Sequence, residues 1–427
     1  MKAIQSTITL ILVLLFQMSH AQKSDYNKEI EKLSKQKSII KAFEIIDQQD
    51  GETVKDHILL TEIPAPPFNE TARGLQFKKM MGAAGADKVW IDEEGNVIAE
   101  RKGKKGGRTV GLDAHLDTVF PAETDVKVKT LGDTLKAPGI GDDTRGLAAI
   151  LSVLKALEKA NIETEADLLI IGSVGEEGQG DLRGMKYLFN NEEIKIDSWI
   201  AVDGREIGRI VTAGLGSVRY KVTFEGPGGH SWGAFGLGNP HHAIGKAIDY
   251  FSETAAKFTS TGPKTSFNVG VMGGGTSINS IPFESWMEVD MRSVDPERLT
   301  QIDEIFNSSM KRALDDYNKN VNKGPKLTMK VEQIGLRPSG FQSDDLPIVQ
   351  RAIASAKLFV DESEIKTGPS STNSNIPISK GIPSVTLGSG GEGGGAHSLH
   401  EWWMNKNGSD AIKFILLLTV AEAGLAK

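Results

Sequence analysis

The sequence predicts an α/β protein interrupted by an inserted α+β domain, and three observations carry that prediction. Apolar runs of strand length alternate with amphipathic stretches of helix length through the first half. Short glycine-rich clusters follow several of the apolar runs, as loops do at strand ends. From about Gly214 the texture changes to long half-exposed alternating strands. The predicted extents are 22–213 and 335–427 for the α/β part and 214–334 for the insertion.

Taken in order, Lys23 to about Gln49 is charged with apolar positions at helical spacing. Val54 to Ile63 continues the pattern until Pro64, Pro66 and Pro67 stop it, because proline lacks an N–H and clashes with the preceding turn. Two helices and a proline-rich turn are expected here. Lys88–Ile91, the turn Asp92-Glu-Glu-Gly-Asn96 and Val97–Glu100 read as strand, turn, strand. Thr109–Leu112 is a short apolar run ending in Asp113-Ala-His-Leu-Asp117, followed by a helix at Gly146–Ala160 and a buried strand at Asp167–Ser173. In the insertion, Ser217–Phe224 is a strand, His241–Lys257 a helix, Ser266–Val271 and Ser285–Met291 strands, Pro296–Tyr317 a helix and Lys326–Gln333 a strand. That βαββαβ order resembles a ferredoxin-like unit. Leu346–Leu358 is helical, Ser384–Leu387 a strand and Asp410–Leu425 a closing helix.

Composition narrows the function. A chain of 427 residues, 39% hydrophobic and 25% charged, is long and apolar enough for two or three packed domains. Lys+Arg 49 against Asp+Glu 56 leaves a net charge of −7, which gives no electrostatic footprint for nucleic acid or an anionic membrane. With no cysteine there is neither a disulfide framework nor a thiolate metal site, so any metal must be held by histidine and carboxylates. Residues 1–21 read as a secretory signal peptide: a positive start at Lys2, an apolar run Ile8–Phe16 and small residues before a cleavage point after Ala21. Export to the periplasm or the extracellular space is therefore expected, without a membrane partner after cleavage. Seven histidines remain, of which His57, His241 and His242 read as solvated helix residues.

The chemistry gathers at predicted strand ends. His115 and Asp117 stand two apart, on one face of an extended segment, where a carboxylate can orient an imidazole. Gly139-Ile-Gly-Asp142-Asp143-Thr-Arg-Gly146 is a glycine-rich loop opening a helix. Its adjacent carboxylates call either for a cation or for a helix N-cap role. Without a following Gly-Lys-Ser/Thr it is no phosphate cradle. Glu176 and Glu177 lie between glycines at the mouth of an apolar strand, and Asp203 follows a second such strand. His397 and His400 come after the loop Gly388–Gly395. Open α/β sheets bind ligands at such ends. A Gly-x-Ser-x-Gly elbow in the right register and a His-Glu-x-x-His helix are both absent, which excludes serine hydrolase and thermolysin-like readings.

The ordered motifs His-x-Asp-Thr-Val, Gly-x-Gly-Asp-Asp-x-x-Gly, Glu-Glu-Gly, Val-Asp-Gly and Ala-His-x-x-x-Glu resemble the di-zinc exopeptidase and deacylase family. That family includes peptidase T, glutamate carboxypeptidase, aminoacylase and acetylornithine deacetylase. The resemblance runs from about Leu60 to Leu425, includes Ile63-Pro-Ala-Pro-Pro-Phe-Asn-Glu70, and is nearer the peptidase T branch. It implies a zinc-exopeptidase-like α/β/α catalytic domain with a ferredoxin-like dimerisation or lid domain inserted. It also implies two zinc ions per subunit, with cobalt or manganese as substitutes. His115 and Asp203 would hold one, Glu177 and His397 the other, and Asp142 would bridge them, around a shared water or hydroxide. Glu176 would be the general base, and Asp117 would align His115. His230, in Gly-Pro-Gly-Gly-His-Ser, would reach the partner subunit's site in a homodimer, and Asn279 and Arg292 would grip the substrate carboxylate. Between His397 and His400, the spacing to Glu401 favours His397 as the ligand.

Two departures bear on specificity: Thr144-Arg145 follow the aspartate pair where lysine is usual, and Thr372-Asn373 stand where many members have Thr-Asp. The expected substrates are di- and tripeptides. An N-acyl-amino-acid amidohydrolase is the alternative, and a peptide-binding protein that has lost its metals is the reading from a different class.

Overall fold

The computed structural model describes residues 25–427, so the predicted signal peptide lies outside the described residues. The larger unit is built on a nine-stranded sheet. Its order is Lys88–Ile91, Val97–Arg101, Asp167–Ser173, Thr109–His115, Ser198–Val202, Ser384–Leu387, Arg209–Gly214 and Gly340–Phe341, with Lys366–Ser370 paired to Arg209–Gly214. The four central strands from Asp167–Ser173 to Ser384–Leu387 are mutually parallel. Their register sets His115 opposite Ser173 and Leu387 opposite Val202. Parallel strands buried on both faces are rich in apolar residues, which is why Asp167–Ser173 and Ser198–Val202 read as near-continuous runs.

Helices cover both faces. On one side Thr144–Lys159 and Gly408–Ala423 pack with three N-terminal helices, Tyr26–Ser34, Lys37–Gln48 and Asp50–Thr61, around Leu112, Ile150, Leu154, Phe414 and Leu417. On the other, Arg183–Asn190 and Asn375–Ser379 press Met185, Leu188 and Ile376 against Trp199. Trp199 dictates a glycine next door, since a Cβ on Gly111 would lie 2.2 Å from its ring.

At Gly214–Gly216 the chain leaves for a second, four-stranded antiparallel sheet, ordered Thr265–Gly274, Glu284–Ser293, Gly216–Glu225, Thr328–Arg337. This is the ferredoxin-like arrangement, with Pro240–Thr259 and Pro296–Lys319 covering one face around Phe251, Phe306 and Met287. Asp295 caps the second of these helices by accepting the N–H groups of Glu297 and Arg298. The chain rejoins the large sheet at Gly340–Phe341.

Some elements differ from expectation. The stretch read as one helix over Lys23–Gln49 breaks after Ser34, where Gln36 is extended. The break lets Ile39, Ala42 and Ile46 face the core, and neither glycine nor proline marks it. The helix Thr71–Ala83 and the small sheet of Lys129–Leu131, Thr134–Lys136, Glu392–Gly394 and Trp402–Met404 were not legible. His57 is corrected outright. It is fully buried where Asp50–Thr61 packs on Thr144–Lys159, bonds the Ile140 carbonyl through Nε2 at 2.5 Å, and stands edge-on to Trp403. Burial pushes its pKa down to about 3, so it is a neutral core residue. His241 and His242 are exposed, as expected.

Candidate metal centre

The centre is organised by one carboxylate. Asp142 presents Oδ1 to His115 Nε2 at 3.1 Å and Oδ2 to His397 Nε2 at 3.0 Å. His397 Nε2 also lies 2.8 Å from Glu177 Oε1. Ligand atoms of His115, Asp142 and Glu177 all fall within 4.8 Å of one another. Asp203 follows the strand Ser198–Val202, its N–H fixed to the Leu387 carbonyl at 2.9 Å, and its carboxylate feels the charges of Asp142, His115 and Glu177. His115, Asp142, Glu177 and His397 are thus linked side chain to side chain, from two strand ends, the loop that opens the helix Thr144–Lys159 and the loop after Gly394, and Asp203 lies at a third strand end beside them.

The backbone around these side chains is held by buried polar groups. Asp143 caps the helix Thr144–Lys159 by accepting from Gly146 N–H, and also accepts the N–H of His115, so it serves as a helix-start charge and not as a ligand. Asp117 was expected to align His115 through its carboxylate. Instead His115 Nδ1 lies 3.0 Å from the Asp117 main-chain oxygen and 3.6 Å from its carboxylate. The carboxylate is taken up by the N–H groups of Glu176 and Glu177 at 3.0 and 2.7 Å. With Nδ1 donating to the Asp117 carbonyl, a neutral His115 would carry its lone pair on Nε2, the nitrogen that faces Asp142 and that a metal would take in place of a proton.

Glu401, in the predicted Ala-His-x-x-x-Glu motif, has a role that the sequence did not reveal. Its buried carboxylate accepts from Gly139, Gly141 and Asp142 N–H at 2.7, 2.8 and 3.1 Å. It thereby ties the Asp142 loop to the loop carrying His397.

The electrostatics favour a cation. Burial opposes charge on His115, yet Asp117 and Asp142 prevail and hold its pKa well above the ordinary imidazole value. Hydrogen bonds donated to Asp142 and Glu177 raise that of His397 to about 10. Burial and then repulsion from Asp142 push Asp203 up to about 6. Burial likewise raises Glu176, against the pull of Arg337. Carboxylates crowded out of water in this way repel one another until a cation joins them. A nitrogen and oxygen donor set without sulfur suits zinc or another divalent transition metal.

Three predicted residues lie elsewhere. His230 and Asn279 are neighbours on the inserted unit, where Gly229–His230 pairs with Ser280–Ile281 and Asn279 O accepts from Ser231 N–H. His230 is exposed, its Nδ1 accepting from Trp232 and Gly233 N–H. Arg292 is half-buried and ion-paired with Asp290 at 2.7 Å. No hydrogen bond or ion pair among the described residues links these three to the metal cluster. His400 is exposed and its ring meets none of the ligands, so His397 occupies the position between Asp142 and Glu177. The two departures from the family pattern are buried props. Arg145 donates to the Ser389 and Gly408 carbonyls over the Trp403 ring, and Asn373 donates to Asp113 and Ser173.

The chain matches Peptidase family M20/M25/M40 over residues 111–419 and belongs to that family, and it is a metal-dependent hydrolase acting on peptide bonds. Protein YqjE of Bacillus subtilis (strain 168), itself uncharacterised, is 29% identical over 308 residues, which span 70% of this chain and 77% of YqjE. A tripeptidase from Staphylococcus aureus subsp. aureus Mu50 shares the fold with a TM-score of 0.67 at 23% identity, covering 87% of this chain and 97% of that one. The Bacillus subtilis YXEP protein, described as a dinuclear metal binding peptidase from the M20 family, does so with a TM-score of 0.61 at 16% identity, covering 88% and 99%.

Replacing Glu401 by Gln removes the anion that three N–H groups share and turns an amide toward them. We expect metal affinity to fall by about 10- to 100-fold, the usual cost of losing an outer-shell partner. Competition with a chelator of known affinity measures it, and an unchanged affinity contradicts the assigned role.

Proposed function

We propose that the chain is an exported di-zinc exopeptidase that removes terminal residues from di- and tripeptides and works as a homodimer. The observation that carries the reading is Asp142, whose two oxygens face two different histidines and so suit a carboxylate shared between two cations. In this reading His115 and Asp203 hold one zinc, Glu177 and His397 the other, and Asp142 both. When bound, the two ions polarise the scissile carbonyl and make the attacking water more acidic.

The remaining work falls to the protein's own groups. Glu176, buried at the mouth of the strand Asp167–Ser173, takes the proton from the attacking water and returns it to the departing amine. Its burial favours the protonated form, which suits a group that must give the proton back. The two solved neighbours, a tripeptidase and a dinuclear metal binding peptidase, support the same reading.

An exposed apolar surface beside His230 supports the dimer reading. Around His230 and Asn279, Trp232 is 87% exposed, Phe235 81% and Ile278 fully so. Beside them the edge strand Thr265–Gly274 turns Val271 and Met272 outward. Such an apolar patch with an open strand edge suits a second copy of the chain. The partner copy would bring His230 to the reacting carbonyl as an oxyanion donor, while Asn279 and Arg292 would grip the substrate carboxylate. Export rests on the reading of residues 1–21, and N-terminal sequencing of secreted material should begin at Gln22.

Purified mature protein, assayed with and without chelator on di-, tri- and N-acylated substrates, should release a terminal residue in a chelator-sensitive way. Glu176→Gln should keep its metal and lose about 10²- to 10⁴-fold in turnover. Activity confined to acylated amino acids moves the reading to an amidohydrolase. Loss of metal in Glu176→Gln makes that residue a ligand and overturns its role.

Mixing two inactive variants tests the shared site. A heterodimer of Glu176→Gln and His230→Ala subunits holds one intact site only if His230 acts across the interface. Recovery of activity on mixing is expected. No recovery, or a fully active monomer by light scattering, contradicts the proposal.

A further inference from the structure

The inserted unit returns to the large sheet through Leu336-Arg337-Pro338-Ser339, and this return docks on the loop that carries Glu176. The contact has two points. Asp181, held at φ 52, accepts the Leu336 N–H on both carboxylate oxygens at 3.0 and 2.9 Å. Lys186 pairs with the same carboxylate at 2.5 Å. One residue on, Arg337 is only 5% exposed. Its Nη1 donates to Glu176 Oε1 and to Ser371 Oγ, each at 2.9 Å, and its Nη2 donates to the main-chain carbonyl of Glu176.

The guanidinium is a rigid planar fork, so two donors placed on the side chain and the carbonyl of one residue fix both ends of that residue. Oε1 of Glu176 is thereby committed. No protein donor among the described residues reaches Oε2, which stays available to receive a proton. The Arg337 Nε is buried without a hydrogen-bond partner.

We propose that Arg337 is a positioning residue for Glu176, through which the seating of the inserted unit on the Glu176–Asp181 loop sets the orientation of the base. The proposal rests on the reading of Glu176 as the general base. When the end of the strand Thr328–Arg337 is seated, the fork holds Oε1 and turns Oε2 outward. When it lifts, Glu176 loses the one side-chain donor it has among the described residues, and its carboxylate is free to rotate away. Proton transfer then depends on where the inserted unit sits, although Arg337 itself touches neither water nor peptide. Burial and the engagement of both Nη groups leave it no face for a substrate carboxylate.

The test uses Arg337→Lys, Arg337→Met and Arg337→Ala in the full-length mature enzyme, with kcat, KM and metal content measured on each. For Arg337→Met we expect kcat to fall about 10- to 100-fold, as for a reacting group displaced by an ångström or so. KM should stay within about 2-fold and both metals should remain. Arg337→Lys should recover part of the loss, and free guanidinium ion should partly rescue Arg337→Ala. In a Glu176→Gln background Arg337→Met should add almost nothing, because the two residues act as one unit. A raised KM with unchanged kcat, or a full additional loss in that background, overturns the proposal. If Arg337→Met does not fold, Asp181→Asn puts the same question, since it loosens the docking without touching Glu176. A smaller fall in kcat at constant KM supports the proposal, and an unchanged kcat overturns it. Full turnover by Glu176→Gln is a different failure, because it removes the base itself whatever Arg337 does.

Discussion

The structure depends on the placement of one carboxylate. Asp142 faces His115 with one oxygen and His397 with the other. The two histidines come from distant parts of the chain, one at the end of a central strand and one in a loop near the C-terminus. A side chain shared in this way tolerates little movement, so its backbone must be over-determined. Glu401 supplies that constraint by gathering the N–H groups of Gly139, Gly141 and Asp142. Asp143 adds another by capping the next helix while taking the His115 N–H. Neither residue has to touch a metal to be indispensable to the site.

The same logic extends outward. Asp117 holds the turn Glu176-Glu177 through its carboxylate and the His115 ring through its carbonyl, so His115 and that turn share one support. On the far side of that turn, Leu336 and Arg337 dock the inserted unit against Asp181 and Glu176. A buried carboxylate in such a place is costly unless each oxygen has a partner or a task. Glu176 has one oxygen held by the inserted unit and one without a protein donor. The inserted sheet, packed around its own Phe251 and Phe306 core, is thus joined to the chemistry and not merely tethered beside it.

Much of this was legible in the sequence, for physical reasons that can be named. Parallel strands buried on both faces carry near-continuous runs of residues that tolerate burial, so Asp167–Ser173 and Ser384–Leu387 were read with their observed bounds. The carboxylates of the centre stand beside glycines, where the backbone turns sharply, which exposed Asp142, Glu176, Glu177 and Asp203. What escaped had no such signature. The break after Ser34 has neither glycine nor proline, and the strands of the small sheet are three residues long. His57 looks polar on a charged helix, and only tertiary packing makes it a core residue. Arg337 and Asp117 take their roles from partners far away in sequence or from a main-chain atom, and no local pattern encodes either.

The central claim is that Asp142 lies between two cations. Anomalous diffraction at the zinc edge, from crystals of the mature protein grown with zinc, tests it most directly. Two peaks per chain are predicted, one beside His115 and Asp203 and one beside Glu177 and His397, with one Asp142 oxygen directed at each. A single peak in protein that is fully active, or two peaks with Asp142 turned away from either, would contradict the account.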